Sequence, residues 1–196
     1  MVSKSQIKLV RQLGQKKHRD QHQLFVAEGL KVIREFIDEN YQLHQLYALD
    51  ERHFPSQKVS LVNQTQMKAM SDLKTPSDAL AVFAMPKTQT PSQPDVVLAL
   101  ESIQDPGNLG TIIRLCDWFG IQDIICSSDT VDCYNPKVIR STMGSLARVQ
   151  VLYKDLESWL MGLKNYEIVA TSMTGQSIYE HSFDKPTVLP IGNEGK

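Results

Sequence analysis

From residue 95 onward, short apolar runs alternate with amphipathic stretches, and that alternation leaves few folds open to the chain. Strands are expected at 95–100, 122–126, 148–152, 167–171 and 187–191, with helices near 109–118, 135–141 and 154–164. A run such as Val96-Val97-Leu98-Ala99-Leu100 has no polar face, so it must be covered on both sides. Helices lying between such strands provide that cover, which makes this half an α/β structure on a parallel sheet.

A break precedes it. Pro86-Lys87-Thr88-Gln89-Thr90-Pro91-Ser92-Gln93-Pro94 places three prolines in nine residues and serves neither helix nor strand, so residues 86–94 are expected to be a linker. Residues 1–85 then form a separate small α/β unit. Its expected elements are a helix near 3–14, a strand at 24–26, a helix over 29–39, strands near 45–49 and 58–62, a helix opened by Asn63 or Thr65, and the strand Ala79-Leu80-Ala81-Val82-Phe83.

The 196 residues are 41% hydrophobic and 22% charged, which excludes wholesale disorder. No apolar run approaches the ~20 residues that span a bilayer, and the first residues lack the apolar stretch of a secretion signal. Cys116, Cys126 and Cys133 have no CxxC spacing and are odd in number, which argues against a disulfide scaffold or zinc knuckle and for a cytoplasmic location. The five histidines form no ligand spacing, so no metal is expected. The net charge of −1 hides an asymmetry: residues 1–34 carry eight Lys and Arg against two acids. Such an end suits a polyanion, although a solvated helix face explains the same charges. Within it, Lys16, Lys17 and Arg19 are candidate phosphate contacts, which position a nucleic acid without reading its sequence.

The strand at 95–100 runs into Asp105-Pro106-Gly107-Asn108, which has tight-turn chemistry, with Asn108 placed to cap the next helix. Leu109, Ile112, Ile113 and Cys116 make its buried stripe, and Arg114 falls roughly 140° from Leu109, off that stripe. A guanidinium there offers a planar fork of donors to a phosphate. Neither GxGxxG nor GxxxxGK[ST] is present, which disfavours dinucleotide-binding and P-loop folds.

Ile103-Gln104-Asp105-Pro106-Gly107-Asn108-Leu109-Gly110-Thr111-Ile112-Ile113-Arg114 resembles the first motif of the SpoU (TrmH-like) RNA ribose 2′-O-methyltransferases of the SPOUT class. Asn135-Pro136-Lys137-Val138-Ile139-Arg140-Ser141-Thr142-Met143-Gly144-Ser145-Leu146 is similar to the segment that follows in that family, and Ile191-Gly192-Asn193-Glu194-Gly195 to its second motif. Phe25-Val26-Ala27-Glu28-Gly29 resembles the start of the RNA-binding domain many members carry. The resemblance implies a parallel-sheet, trefoil-knot catalytic domain over 95–196 behind a small α/β RNA-binding domain. It implies S-adenosylmethionine (SAM) as cofactor, RNA as partner (rRNA rather than tRNA) and a homodimer. It assigns hydroxyl activation to Arg114, with Asn108 and Glu194 shaping the site. Cofactor contacts fall to Thr171, Ile191, Gly192, Asn193 and Gly195, and RNA contacts to Lys16, Lys17, Arg19, Arg140 and Ser145. The family's third motif does not occur before Lys196, so the resemblance implies a catalytic domain truncated at its C-terminus, with weak SAM binding and little turnover by this chain. A non-catalytic RNA-binding protein with a degenerate SAM site is the alternative from another class, and an unrelated α/β nucleotide binder the third.

Overall fold

The computed structural model describes residues 2–87, 95–170, 174–175 and 177–192. The N-terminal unit opens with α1 (Lys4–Gln12), started by a capping box between Ser3 and Gln6, and α2 (Lys16–His22). Then come β1 (Leu24–Glu28), α3 (Leu30–Asp38), β2 (Leu43–Ala48), β3 (Ser60–Leu61), α4 (Gln64–Met70, capped by Asn63) and β4 (Ala79–Ala84). The sheet order is β1-β4-β2-β3, with β4 antiparallel to both β1 and β2. Strand alternation divides β1 between two cores. Phe25 and Ala27 pack with Ile33 and Phe36 of α3, while Leu24 and Val26 pack with Val10 of α1 and Met67 and Met70 of α4.

The second sheet has five parallel strands in the order β7-β6-β5-β9-β8: β5 (Val96–Leu100), β6 (Asp123–Ser127), β7 (Gln150–Lys154), β8 (Glu167–Ile168) and β9 (Thr187–Ile191). It is covered on both faces, as its apolar strands require. Leu98 and Leu100 meet Leu109, Ile113 and Cys116 of α5 (Pro106–Phe119); Val97 and Ala99 belong to the opposite core, against which Trp159 and Leu160 of α7 (Leu156–Met161) pack. Between them α6 (Pro136–Thr142) lies on α5 so closely that a Cβ on Gly110 would stand 2.3 Å from the Cβ of Ser141.

Three elements differ from expectation. Helix α2 was not foreseen, because its seven residues, KKHRDQH, have no apolar stripe to announce it. Strand β8 spans two residues where five were expected, and α7 is shorter than 154–164. Of the expected linker, residues 88–94 lie outside the described residues.

The two sheets share one apolar core, in which Phe25, Phe36 and Phe83 join Leu100, Ile113 and Val138. The rings of Phe25 and Tyr134 lie 4.8 Å apart across the boundary. Arg148 bridges it with Nη1 on Glu35 at 2.6 Å and Nη2 on Asp117 at 2.7 Å. Gly144, at φ +105°, lies against Glu35, whose Cγ would be 2.4 Å from an added Cβ. Packing thus joins the units, whatever chain connects them.

Candidate functional site

Strand β5 is the switch point of the parallel sheet: the chain builds outward to β6 and β7 on one side and to β9 and β8 on the other. Open α/β sheets bind ligands beyond the carboxyl ends of strands at such a point. Here the β5–α5 loop, residues 101–105, is laced to both neighbours. Glu101 donates its backbone N–H to the Ile191 carbonyl at 2.9 Å. Ser102 donates its N–H to Ser127 Oγ at 2.8 Å and its hydroxyl to Asp129 Oδ2 at 2.5 Å. Ile103 is tied to the next loop twice, accepting the Val131 N–H on its carbonyl at 2.9 Å and donating its own N–H to Thr130 Oγ1 at 3.3 Å. Ser102 is held at φ +54°, a conformation costing a non-glycine residue about 1–2 kcal/mol, which this lacing offsets.

The expected cap moves. Helix α5 begins three residues before Leu109: Asp105 is its N-cap and accepts the Asn108 N–H at 2.8 Å, while Pro106 occupies the first turn. Asn108 is therefore inside the helix with its side chain exposed, and Pro106-Gly107 begin the helix rather than form a separate turn. The Asp-Pro pair is itself a helix-start signal and was legible. The stripe of Leu109, Ile112, Ile113 and Cys116 does face the core, and Arg114 is exposed. Among the described residues Arg114 has no hydrogen-bond or ion-pair partner, which leaves its fork of donors available. Beside it Leu115, Trp118 and Phe119 form an exposed apolar face, with Trp118 83% exposed.

On the other side of the switch, Leu189, Pro190 and Ile191 end an interior strand yet are only half-buried, and among the described residues a Cβ on Gly192 would meet nothing within 4 Å. Of the expected cofactor contacts, Ile191 and Gly192 are the two among the described residues, at the carboxyl end of β9 beside the β5–α5 loop. Thr171, Asn193, Glu194 and Gly195 lie outside the described residues.

The basic candidates separate. Lys16 and Lys17 are exposed. Arg19 is not a surface contact: it is 1% exposed, paired with Asp132, and donates from Nη1 to the Leu13 and Gly14 carbonyls at 2.9 Å each. A guanidinium buried this deeply needs such partners, and its sequence neighbours gave no sign of them. Asp132 is the residue sequence reasoning missed. Arg140 is half-buried in a narrow crevice between α6 and the N-terminal unit, lined also by Glu28 and Asp72. Ser145 is half-buried and its hydroxyl hydrogen-bonds to Asp117. Glu28, from the Phe25–Gly29 segment, is a structural tie that accepts the Ser71 hydroxyl at 2.7 Å and the Ser77 N–H at 3.0 Å. All three thiols are buried, and burial pushes Cys116 and Cys126 up to about 12.

A parallel sheet covered on both faces, with a laced polar loop at its switch point, defines a ligand-binding α/β protein joined to a basic α/β unit. More narrowly, the chain belongs to the SpoU rRNA Methylase family, which matches residues 95–196; the MRM3-like substrate binding domain matches residues 4–81. It is 27% identical over 193 residues to the 23S rRNA (guanosine(2553)-2′-O)-methyltransferase RlmP of Bacillus subtilis, covering 94% of this chain and 77% of that one. It is 32% identical over 153 residues to the mitochondrial rRNA methyltransferase 3 of Xenopus laevis, covering 70% of this chain and 36% of that one. A putative RNA methyltransferase of the TrmH family from Porphyromonas gingivalis superposes with a TM-score of 0.86 at 32% identity, covering all of this chain and 82% of the other. An AdoMet-bound rRNA methyltransferase from Sinorhizobium meliloti does so at 0.84 and 29% identity, with 100% and 81% covered.

Proposed function

We propose that this protein transfers a methyl group from SAM to a ribose 2′-hydroxyl of RNA, and that the RNA is ribosomal. The observation that carries the reading is the β5–α5 junction: a loop hydrogen-bonded to both neighbours at the switch point leads into a helix whose outer face presents an exposed Arg114. The cofactor supplies an electrophilic methyl on sulfonium. Ile191 and Gly192 would hold it at the carboxyl end of β9, and the family resemblance gives Thr171, Asn193 and Gly195 the same role. On the acceptor side, Arg114 holds the phosphate next to the target ribose and stabilises the alkoxide that develops as the hydroxyl loses its proton. A guanidinium has donors and no acceptor, so the proton passes to the substrate phosphate or a water. Asn108, exposed on the first turn of α5, and Glu194 shape the site.

Lys16 and Lys17 supply phosphate contacts, and Arg140 and Ser145 are read as further RNA contacts. The exposed Leu115–Trp118–Phe119 face, next to Arg114, supports a homodimer. Free thiols at all three cysteines suit a reducing, cytoplasmic setting. The test is incubation of the protein with deproteinised rRNA and methyl-labelled SAM, followed by alkaline hydrolysis. A 2′-O-methyl group blocks cleavage at its own linkage, so label is expected in alkali-resistant dinucleotides. Label in mononucleotides, meaning base methylation, would refute the reading.

A further inference from the structure

The basic N-terminal helices pack on their own sheet, and a buried ion pair ties them to the second unit as well. Arg19 of α2 directs Nε to Asp132 Oδ2 at 3.0 Å, adds a second contact from Nη2, and closes the end of α1 through the Leu13 and Gly14 carbonyls. Asp132 sits in the β6–α6 loop, and its other oxygen accepts the Tyr134 N–H at 2.9 Å. The residues beside it are fixed in turn. Tyr153 of β7 donates its hydroxyl to the Val131 carbonyl and accepts the Cys133 N–H, both at 2.7 Å, and Val131 bonds to Ile103 in the β5–α5 loop. Lys16 adds a second anchor, with Nζ 5.9 Å from the centre of the Tyr153 ring. A short, fully bonded path thus runs from α2 to the loop that starts α5.

What that path holds in place is a basic face. Lys4, Lys8 and Arg11 are exposed at i, i+4 and i+7 on α1, and no acidic residue precedes Asp20. Together with Asp72 they line an open groove of about 630 Å³ that reaches Gln15 at the start of α2, and the exposed Lys16 and Lys17 follow Gln15 in the chain. Contacts of this kind orient a nucleic acid while leaving its bases unread. Their value to a methyltransferase lies in where they set the backbone relative to the acceptor site.

We propose that Arg19 and Asp132 form a positioning pair that holds the RNA-backbone face of α1 and α2 in register with the methyl-acceptor site at the β5–α5 junction. The proposal rests on the RNA 2′-O-methyltransferase reading. Loosening the pair leaves the basic face charged and able to hold RNA, but lets the bound backbone shift against Arg114. A misplacement of about 1 Å can slow a reaction by up to about 10²-fold.

The experiment measures single-turnover methyl transfer to rRNA, RNA affinity and SAM affinity for the intact protein and for Arg19→Lys, Asp132→Asn and the double variant Lys8→Ala/Lys17→Ala. Arg19→Lys keeps the charge without the fork, and Asp132→Asn keeps an acceptor oxygen, so either can carry the test if the other fails to fold. For both, transfer at saturating RNA is expected to fall about tenfold, with RNA and SAM dissociation constants within about twofold of the parent. The lysine double variant is expected to act differently, losing RNA affinity and flattening its dependence on log salt by roughly one to two. Parallel loss of rate, RNA affinity and SAM affinity in Arg19→Lys and Asp132→Asn would make the pair a general support of the fold and overturn its positioning role. An unchanged transfer rate would overturn it too. A parent protein that binds rRNA and SAM but transfers no methyl would remove the functional reading, and the pair's role with it.

Discussion

Asp105 and Asn108 lie three residues apart and were assigned opposite duties by the sequence and the structure. Both are good caps; the choice falls to Asp105 because Pro106 behind it can occupy only a first-turn position, where its missing N–H costs nothing. Asp105→Ala should therefore cost about 1 kcal/mol of stability in urea unfolding. Asn108→Ala should change stability by less than about 0.5 kcal/mol while lowering methyl transfer; equal destabilisation by the two would restore Asn108 as the cap. Arg114 and Arg19 teach a related lesson. Helical periodicity put Arg114 off the apolar stripe, and it is exposed. Nothing local distinguished Arg19 from Lys16 and Lys17, because its burial depends on Asp132, 113 positions away. The cysteines offer a direct check of residue environment. Burial raises all three thiols far above pH 8, so a thiol reagent at that pH should react slowly with the native protein and titrate three groups once urea is added. Rapid reaction of the native protein would show the core to be open.

At the scale of elements, the strands were legible wherever burial on both faces made them continuous apolar runs, as in β4, β5, β6 and β9. Helix α5 was legible for its stripe. Helix α2 was not, since a polar heptapeptide becomes helical here through the tertiary bonds of Arg19 rather than an amphipathic pattern. Nor could the crossing of α5 and α6 be read in advance. The sequence shows Gly110 in a helix, a position that weakens it; only the packing shows that a side chain would collide with Ser141. Gly110→Ala should therefore destabilise the protein by about 1–3 kcal/mol despite the higher helix propensity of alanine. A stabilised variant in urea unfolding would mean that the helices stand further apart.

Across the whole molecule, the two α/β units behave as one body because apolar packing, the Arg19–Asp132 pair and the Arg148 bridge all cross the boundary. The linker proline run marked where the units divide, yet it said nothing of how they meet. On the second unit's side of this junction, the pair of Arg148 with Asp117 of α5 is sensitive to acid. Its hydrogen bonds hold the Asp117 carboxyl below the usual carboxylate range, helped by Ser145. A depressed carboxylate contributes stability that is present above its unfolded value, about 3.9, and is lost as pH falls through the lower folded value. Arg148→Met should therefore lower the urea midpoint at pH 7 and differ less from the parent at pH 3; a constant difference would show that the ion pairs contribute nothing. The carboxyl ends of the paired strands β5 and β9 and the exposed Arg114 of α5 form the centre of the functional account. Its most direct measurement is mass spectrometry of nucleosides from rRNA treated with SAM and either the parent protein or Arg114→Ala, alongside a SAM titration of each. The predicted result is a 2′-O-methylnucleoside with the parent, its reduction by about 10²-fold or more in Arg114→Ala, and SAM affinities within about twofold. A methyl group on a base, or equal loss of transfer and cofactor affinity, would contradict the assignment of this junction to the acceptor side of methyl transfer.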